Sequence, residues 1–81
     1  MQFLYEPLYL KDGTTRPFRF FSRVDDEDFV LLKNGDWKPT DLLELARFGH
    51  NDVTTVDVSA EQARELVEEY WGPAVAEKVF A

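Results

Sequence analysis

The densest group of side chains that could bind a cation is the acidic run Asp25-Asp26-Glu27-Asp28. A calcium-binding loop needs oxygen ligands at alternating positions, a glycine at its sixth position and a bidentate Glu at its twelfth. With Asp25 as the first residue, Val30 stands at the sixth position and Asp36 at the twelfth. The run therefore predicts a solvated turn, with a weak cation site or an acidic patch for a partner as the alternatives.

The single histidine, His50, could serve as a general base if Asp52 oriented its ring. Such a base needs a nucleophile, and Ser22 and Ser59 are the only serines. Ser59 is better explained as a helix cap. The chain also has no Gly-rich phosphate loop, no His-Glu-x-x-His and no cysteine, which removes thiolate metal sites and disulfides. We therefore interpret His50 as a loop residue and expect no enzyme activity, no metal site and no cofactor.

Charge is distributed unevenly along the chain, whose net charge is −7. Residues 1–23 carry a net charge of +2, and residues 24–81 carry −9. A surface divided in this way steers encounters with charged partners. Because an acidic protein is repelled by phosphate backbones and by anionic lipid, nucleic acid and membranes are not the partners we expect.

The length of 81 residues predicts one domain, residues 1–81, held together by packing alone. Seven Phe, three Tyr and two Trp residues must supply much of the buried surface, so we expect most rings in the core. Residues 1–6 lack the basic segment of a secretory signal, and no apolar run reaches the roughly 20 residues of a membrane span. We expect a cytoplasmic location.

The dipeptide Asp12-Gly13 predicts a two-residue hairpin turn between residues 2–10 and 16–24. Opposed positions then sum to 25, a register that places Glu6 opposite Arg19 and apolar pairs beside them. One face of this hairpin carries Arg19 and Arg23. The other carries aromatic side chains, which we assign to the core: Phe3, Tyr5, Phe18 and Phe20.

Further strands are predicted at residues 29–33, at a short return strand after Asn34-Gly35 that sets Leu32 opposite Trp37, and at residues 53–58. A helix of about nine residues follows Thr40 or Asp41, with an apolar face that includes Phe48. A second helix opens with the capping box of Ser59 and Gln62 and ends at Gly72-Pro73. Residues 74–80 add a C-terminal helical turn. The fold class predicted is α+β, an antiparallel β-meander of three to four strands packed on one side by two short helices and that turn.

The outward side of the second helix carries a group that we call the acidic face: Glu61, Glu65, Glu68 and Glu69. Glu68 and Glu69 fall in the last turn, where the helix dipole disfavours acids by about 0.3–1 kcal/mol each. Acids at such positions are consistent with a basic partner, although a solvated helix surface is the simpler interpretation.

These patterns predict a small, acidic, non-enzymatic protein-interaction or regulatory module whose acidic face binds a basic protein surface. A homodimer in which the basic hairpin of one copy faces acids of another fits the same charges. The alternatives are a phage-type or mobile-element-type inhibitor acting by nucleic-acid mimicry, and weak RNA binding through the N-terminal basic and aromatic hairpin. The candidate partner-binding residues are Arg19, Arg23, Asp25, Asp26, Glu27, Asp28, Glu61, Glu65, Glu68 and Glu69.

Overall fold

A computed structural model describes residues 1–49 and 53–80. It contains an antiparallel sheet of five strands in the order β4-β3-β2-β1-β5, together with three helices in the described ranges. This confirms the α+β class and the meander. The elements are β1 (Gln2–Tyr9), β2 (Thr15–Val24), β3 (Glu27–Leu31), β4 (Trp37–Pro39), α1 (Leu42–Arg47), β5 (Val56–Val58), α2 (Ala60–Tyr70) and α3 (Pro73–Phe80).

The first hairpin has the predicted register at its base but a different turn. Glu6 lies opposite Arg19, and the pairing continues in this register to the start of β1. Between Glu6 and Pro7 the register shifts by one residue, so that Pro7 lies opposite Pro17 and Phe18 is the extra residue of a β-bulge. The turn is accordingly a three-residue loop, closed by a hydrogen bond from the Leu10 amide to the Thr14 carbonyl. The predicted two-residue turn at Asp12-Gly13 was wrong, and the bulge compensates for the additional loop residue.

The loop lengths of the other two turns differ from those expected. Leu31, not Leu32, lies opposite Trp37, because Asn34-Gly35 belongs to a three-residue loop. The two-residue turn is instead Asp25-Asp26, where Val24 pairs with Glu27. Both aspartates have positive φ, 49° and 67°, as the type I′ turn requires.

The main core lies on the sheet face that α2 and α3 cover. Phe20 is fully buried there and stands close to the rings of Phe3, Trp37 and Trp71, with centroids 6.0–6.2 Å away. The helices contribute their small buried residues Ala63, Val67 and Ala76. Phe3 also meets Phe80 at 5.3 Å, so this core joins the first strand to the last helix.

A smaller core lies on the opposite face of the sheet, because Leu4 and Phe21 alternate with Phe3 and Phe20 along the strands. Leu43 of α1 is packed against them. The helices are therefore divided between the two faces, whereas the sequence placed them on one side. Alternation assigns strand residues to faces, but it does not say which helix covers which face. Helix α1 is also shorter than predicted, and Phe48 beyond its end is 70 % exposed.

Helix α2 begins and ends at its predicted signals. The Ser59 hydroxyl accepts a hydrogen bond from the Gln62 amide, and the Gln62 side chain accepts one from the Ser59 amide. Gly72, with φ of 103°, ends the helix, and Pro73 begins α3. Lys78 of α3 then reaches back to the β3–β4 turn, where its Nζ lies 2.7 Å from Asp36 Oδ1.

Candidate interaction surfaces

The acidic face is exposed along α2, whose apolar stripe turns Ala63 and Val67 into the core. Within residues 1–49 and 53–80, none of its four carboxylates forms an ion pair. The last turn of α2 contains no base, so Glu68 and Glu69 stand uncompensated beside the negative end of the helix dipole. The helix thus presents four exposed carboxylates, and Arg64 is the one base on the same helix.

The acidic run divides into two parts with different roles. Asp25, Asp26 and Glu27 are exposed at the β2–β3 turn. Asp28 is only 7 % exposed and lies opposite Arg23 across the two strands. The sequence grouped Asp28 with its neighbours as partner-binding, but strand alternation turns it inward, so it does not belong to that surface.

Arg23 and Asp28 form an ion pair between β2 and β3. Arg23 Nε donates a hydrogen bond of 2.7 Å to Asp28 Oδ1, and this bond raises the pKa of Arg23. Because both groups are engaged, Arg23 supports the sheet instead of offering a free charge to a partner.

Arg19 is also engaged within the molecule. Its Nε lies 2.8 Å from Glu6 Oε1, although the N–H does not point along the contact and no hydrogen bond of good geometry forms. Its guanidinium carbon sits 4.8 Å from the centroid of the Phe18 ring, a cation–π distance. The two arginines selected from the sequence, among the bases of residues 1–23, therefore already have contacts within the molecule.

A surface that sequence reasoning missed is an open groove of about 550 Å³ at the far end of the first hairpin. We call it the basic groove. Residues 16–19 of β2 form one wall, residues 31–33 form another, and Leu8, Tyr70 and Trp71 complete the lining. Phe18, Leu32 and Tyr70 are all exposed large apolar side chains, at 53 %, 38 % and 42 %. Arg16 and Lys33 are exposed on its rim.

The β-bulge explains why this groove was missed. With a two-residue turn, Phe18 would share the core face with Phe20, as the sequence predicted. The extra residue breaks the alternation and leaves Phe18 at the surface. The available signal was the pair Pro7 and Pro17, since strands seldom hold proline except at edges and bulges.

A second, smaller hollow of about 270 Å³ lies between α2 and the strands β1 and β5. It is lined by Tyr5, Val58, Gln62, Glu65, Leu66 and Glu69. Glu69 in this hollow and Tyr70 in the basic groove are consecutive residues of α2. The acidic lining of one hollow and the basic groove therefore both reach the C-terminal end of α2.

The remaining expectations concern catalysis and metals. His50 and Asp52 lie outside the described residues. Among residues 1–49 and 53–80, no three His, Asp or Glu side chains are grouped to hold a metal ion. In the same part of the chain, no helix has the length and apolar character to cross a membrane.

Comparison with known proteins adds no relative. The chain matches no protein-family model, and no curated protein and no solved structure is significantly similar to it.

Proposed function

We propose that this protein is a non-enzymatic protein-interaction module that binds a basic protein surface through the acidic face of α2. The observation that carries the proposal is the row of four exposed carboxylates without ion-pair partners in the described part of the chain. Glu68 and Glu69 each cost the helix about 0.3–1 kcal/mol where they stand. A basic partner would turn this unfavourable charge into a favourable contact.

Electrostatics of this kind sets the rate and specificity of association more than its final affinity. Binding should therefore weaken as salt rises, since charges at an exposed rim are screened within about 10 Å at 0.1 M ionic strength. Asp25, Asp26 and Glu27 add negative charge at the β2–β3 turn.

The test is capture of partners from native cell lysate by the immobilised protein, with mass spectrometry of what is retained. Reversing all four glutamates of the acidic face to lysine should abolish capture of basic partners and leave the melting temperature unchanged or raised. A control reverses three exposed acids elsewhere, Asp41, Glu44 and Glu77, and should leave capture largely unchanged. Unchanged capture by the α2 variant would reject the proposal.

Nucleic-acid mimicry is a narrower form of the same hypothesis. Carboxylates four residues apart on a helix are about 6 Å apart along its axis, whereas a DNA strand offers a phosphate every ~3.4 Å. The acidic face alone is therefore too sparse to imitate a strand. A mimic would displace DNA or RNA from the captured partner with a steep dependence on salt, and an ordinary interaction module would not.

A further inference from the structure

We infer that the basic groove is a docking surface for a second copy of this chain, joined to it about a twofold axis. The inference rests on the proposed function, because it names one basic surface that carboxylates of the acidic face fit. The carrying observation is the groove itself: a hollow with exposed Phe18, Leu32 and Tyr70 and a basic rim. Contiguous exposed apolar groups with a polar rim are typical of protein contact sites.

The charges of the groove favour an acidic occupant. Within the described residues, Arg16 and Lys33 form no ion pair, and Arg19 adds a third base to the lining. Among the described residues that line the groove, none is acidic. An apolar segment flanked by carboxylates would therefore pack against the apolar floor of the groove and pair with the bases on its rim.

The main chain of the groove wall disfavours an added strand. Pro7 and Pro17 lie opposite each other, and two prolines can face each other only as a non-hydrogen-bonded pair because neither has an N–H. The side of Pro17 that turns away from β1 therefore offers no donor, and the bulge at Phe18 interrupts the edge further. An occupant must dock through side chains, as a helix does.

The chain itself offers a fitting helix. Glu65 and Glu69 of α2 line the smaller hollow, and Tyr70, the residue after Glu69, lines the basic groove. From the smaller hollow to the far rim of the basic groove, the surface presents acids, then apolar groups, then the bases Arg16 and Lys33. A twofold axis through the apolar middle brings the acids of each copy to the bases of the other. The surface is thus complementary to itself, and such a contact closes as a dimer.

The test is sedimentation velocity on the intact protein between 10 and 500 µM. The wild type should dimerise, more weakly in 0.5 M than in 0.05 M salt. One variant carries Arg16→Glu and Lys33→Glu, and a second carries Glu65→Lys and Glu69→Lys. Each alone places like charges across the axis and should weaken the dimer by at least ~30-fold. Mixed in equal amounts, the variants restore every opposite-charge contact and should form a heterodimer within about threefold of the wild-type affinity.

The controls separate this inference from misfolding and from the proposed function. Lys38→Glu with Glu77→Lys reverses two exposed charges that line neither hollow and should leave the dimer intact. A monomeric wild type at 500 µM, or a mixture of variants that stays monomeric, overturns the inference. A monomer that binds single-stranded RNA and loses it on Arg16→Glu with Lys33→Glu assigns the groove to nucleic acid instead. Glu61 and Glu68 line neither hollow and can capture basic partners whether or not the protein dimerises. The proposed function is therefore judged by the lysate capture experiment and not by the oligomeric state.

Discussion

Removing the Arg23 guanidinium should destabilise the fold without touching the acidic face. Asp28 keeps a side chain that is 4 % exposed, 2.7 Å from the missing group, while Arg23 itself is 26 % exposed. Breaking a buried ion pair from one side costs about 3–5 kcal/mol, because the other charge stays desolvated. The access of water to Arg23 lowers this to about 2–3 kcal/mol for Arg23→Met. In a domain of this length the melting temperature should fall by roughly 8–24 °C.

The assay is urea unfolding followed by circular dichroism. Arg16→Met is the matched control, since it removes an exposed arginine of the same strand and should change the free energy of unfolding by no more than about 0.5 kcal/mol. Adding Asp28→Leu to Arg23→Met should recover part of the loss, because the double variant no longer buries the Asp28 carboxylate without the Arg23 guanidinium. A loss below about 0.5 kcal/mol for Arg23→Met, or no recovery in the double variant, would refute this account of the pair.

Two further predictions concern the β3–β4 turn. Gly35→Ala should lower the free energy of unfolding in denaturant more than Gly13→Ala does. Both glycines have φ near 90°, a conformation that costs an alanine about 1–2 kcal/mol. Of the two, only Gly35 would bring the new Cβ against a neighbour, Lys78 Cδ at 3.0 Å. Equal losses would show that Lys78 yields freely. The hydrogen bond from Lys78 lowers the pKa of Asp36, so the pair stabilises the fold above the carboxyl's unfolded pKa, and this contribution is lost as pH falls through the folded pKa. The difference in unfolding free energy between wild type and Asp36→Asn should shrink to nothing over that acid range, and a constant difference would contradict it.

The architecture was predictable where local signals agreed with one another. The Ser59 capping box and the Gly72-Pro73 stop fix the ends of α2, and the charges of Glu6 and Arg19 fix the register at the base of the first hairpin. These signals act over a few residues or across one pair of strands. The strand predicted at residues 53–58 shortened to Val56–Val58, where pairing with β1 begins.

The turns were less predictable, because a glycine can end either a two-residue or a three-residue loop. Gly13 and Gly35 both have positive φ, as expected, but each serves as the third loop residue. Asp25 and Asp26 adopt the two-residue turn without the glycine that usually marks it. Each one-residue error moves side chains to the other face of the sheet, which is how Phe18 was assigned to the core.

The candidate site was predictable only in part. The exposure of the acidic face followed from the helical period of α2, and its four glutamates lie as expected. Arg19, Arg23 and Asp28 were chosen for their charge, and the pairing of strands decided that they face Glu6 and each other. The basic groove joins three separate segments through a bulge, so no single stretch of sequence encodes it.

The contact between Phe3 and Phe80 has a consequence for how the molecule folds. It joins β1 to α3, two elements that are far apart along the described chain. The strands of the sheet can pair with one another first, but one face of the sheet stays partly bare until residues 73–80 have packed on it. A folding intermediate in which α3 has not yet docked should therefore be sensitive to proteases, and the docking of α3 should be a late step of folding.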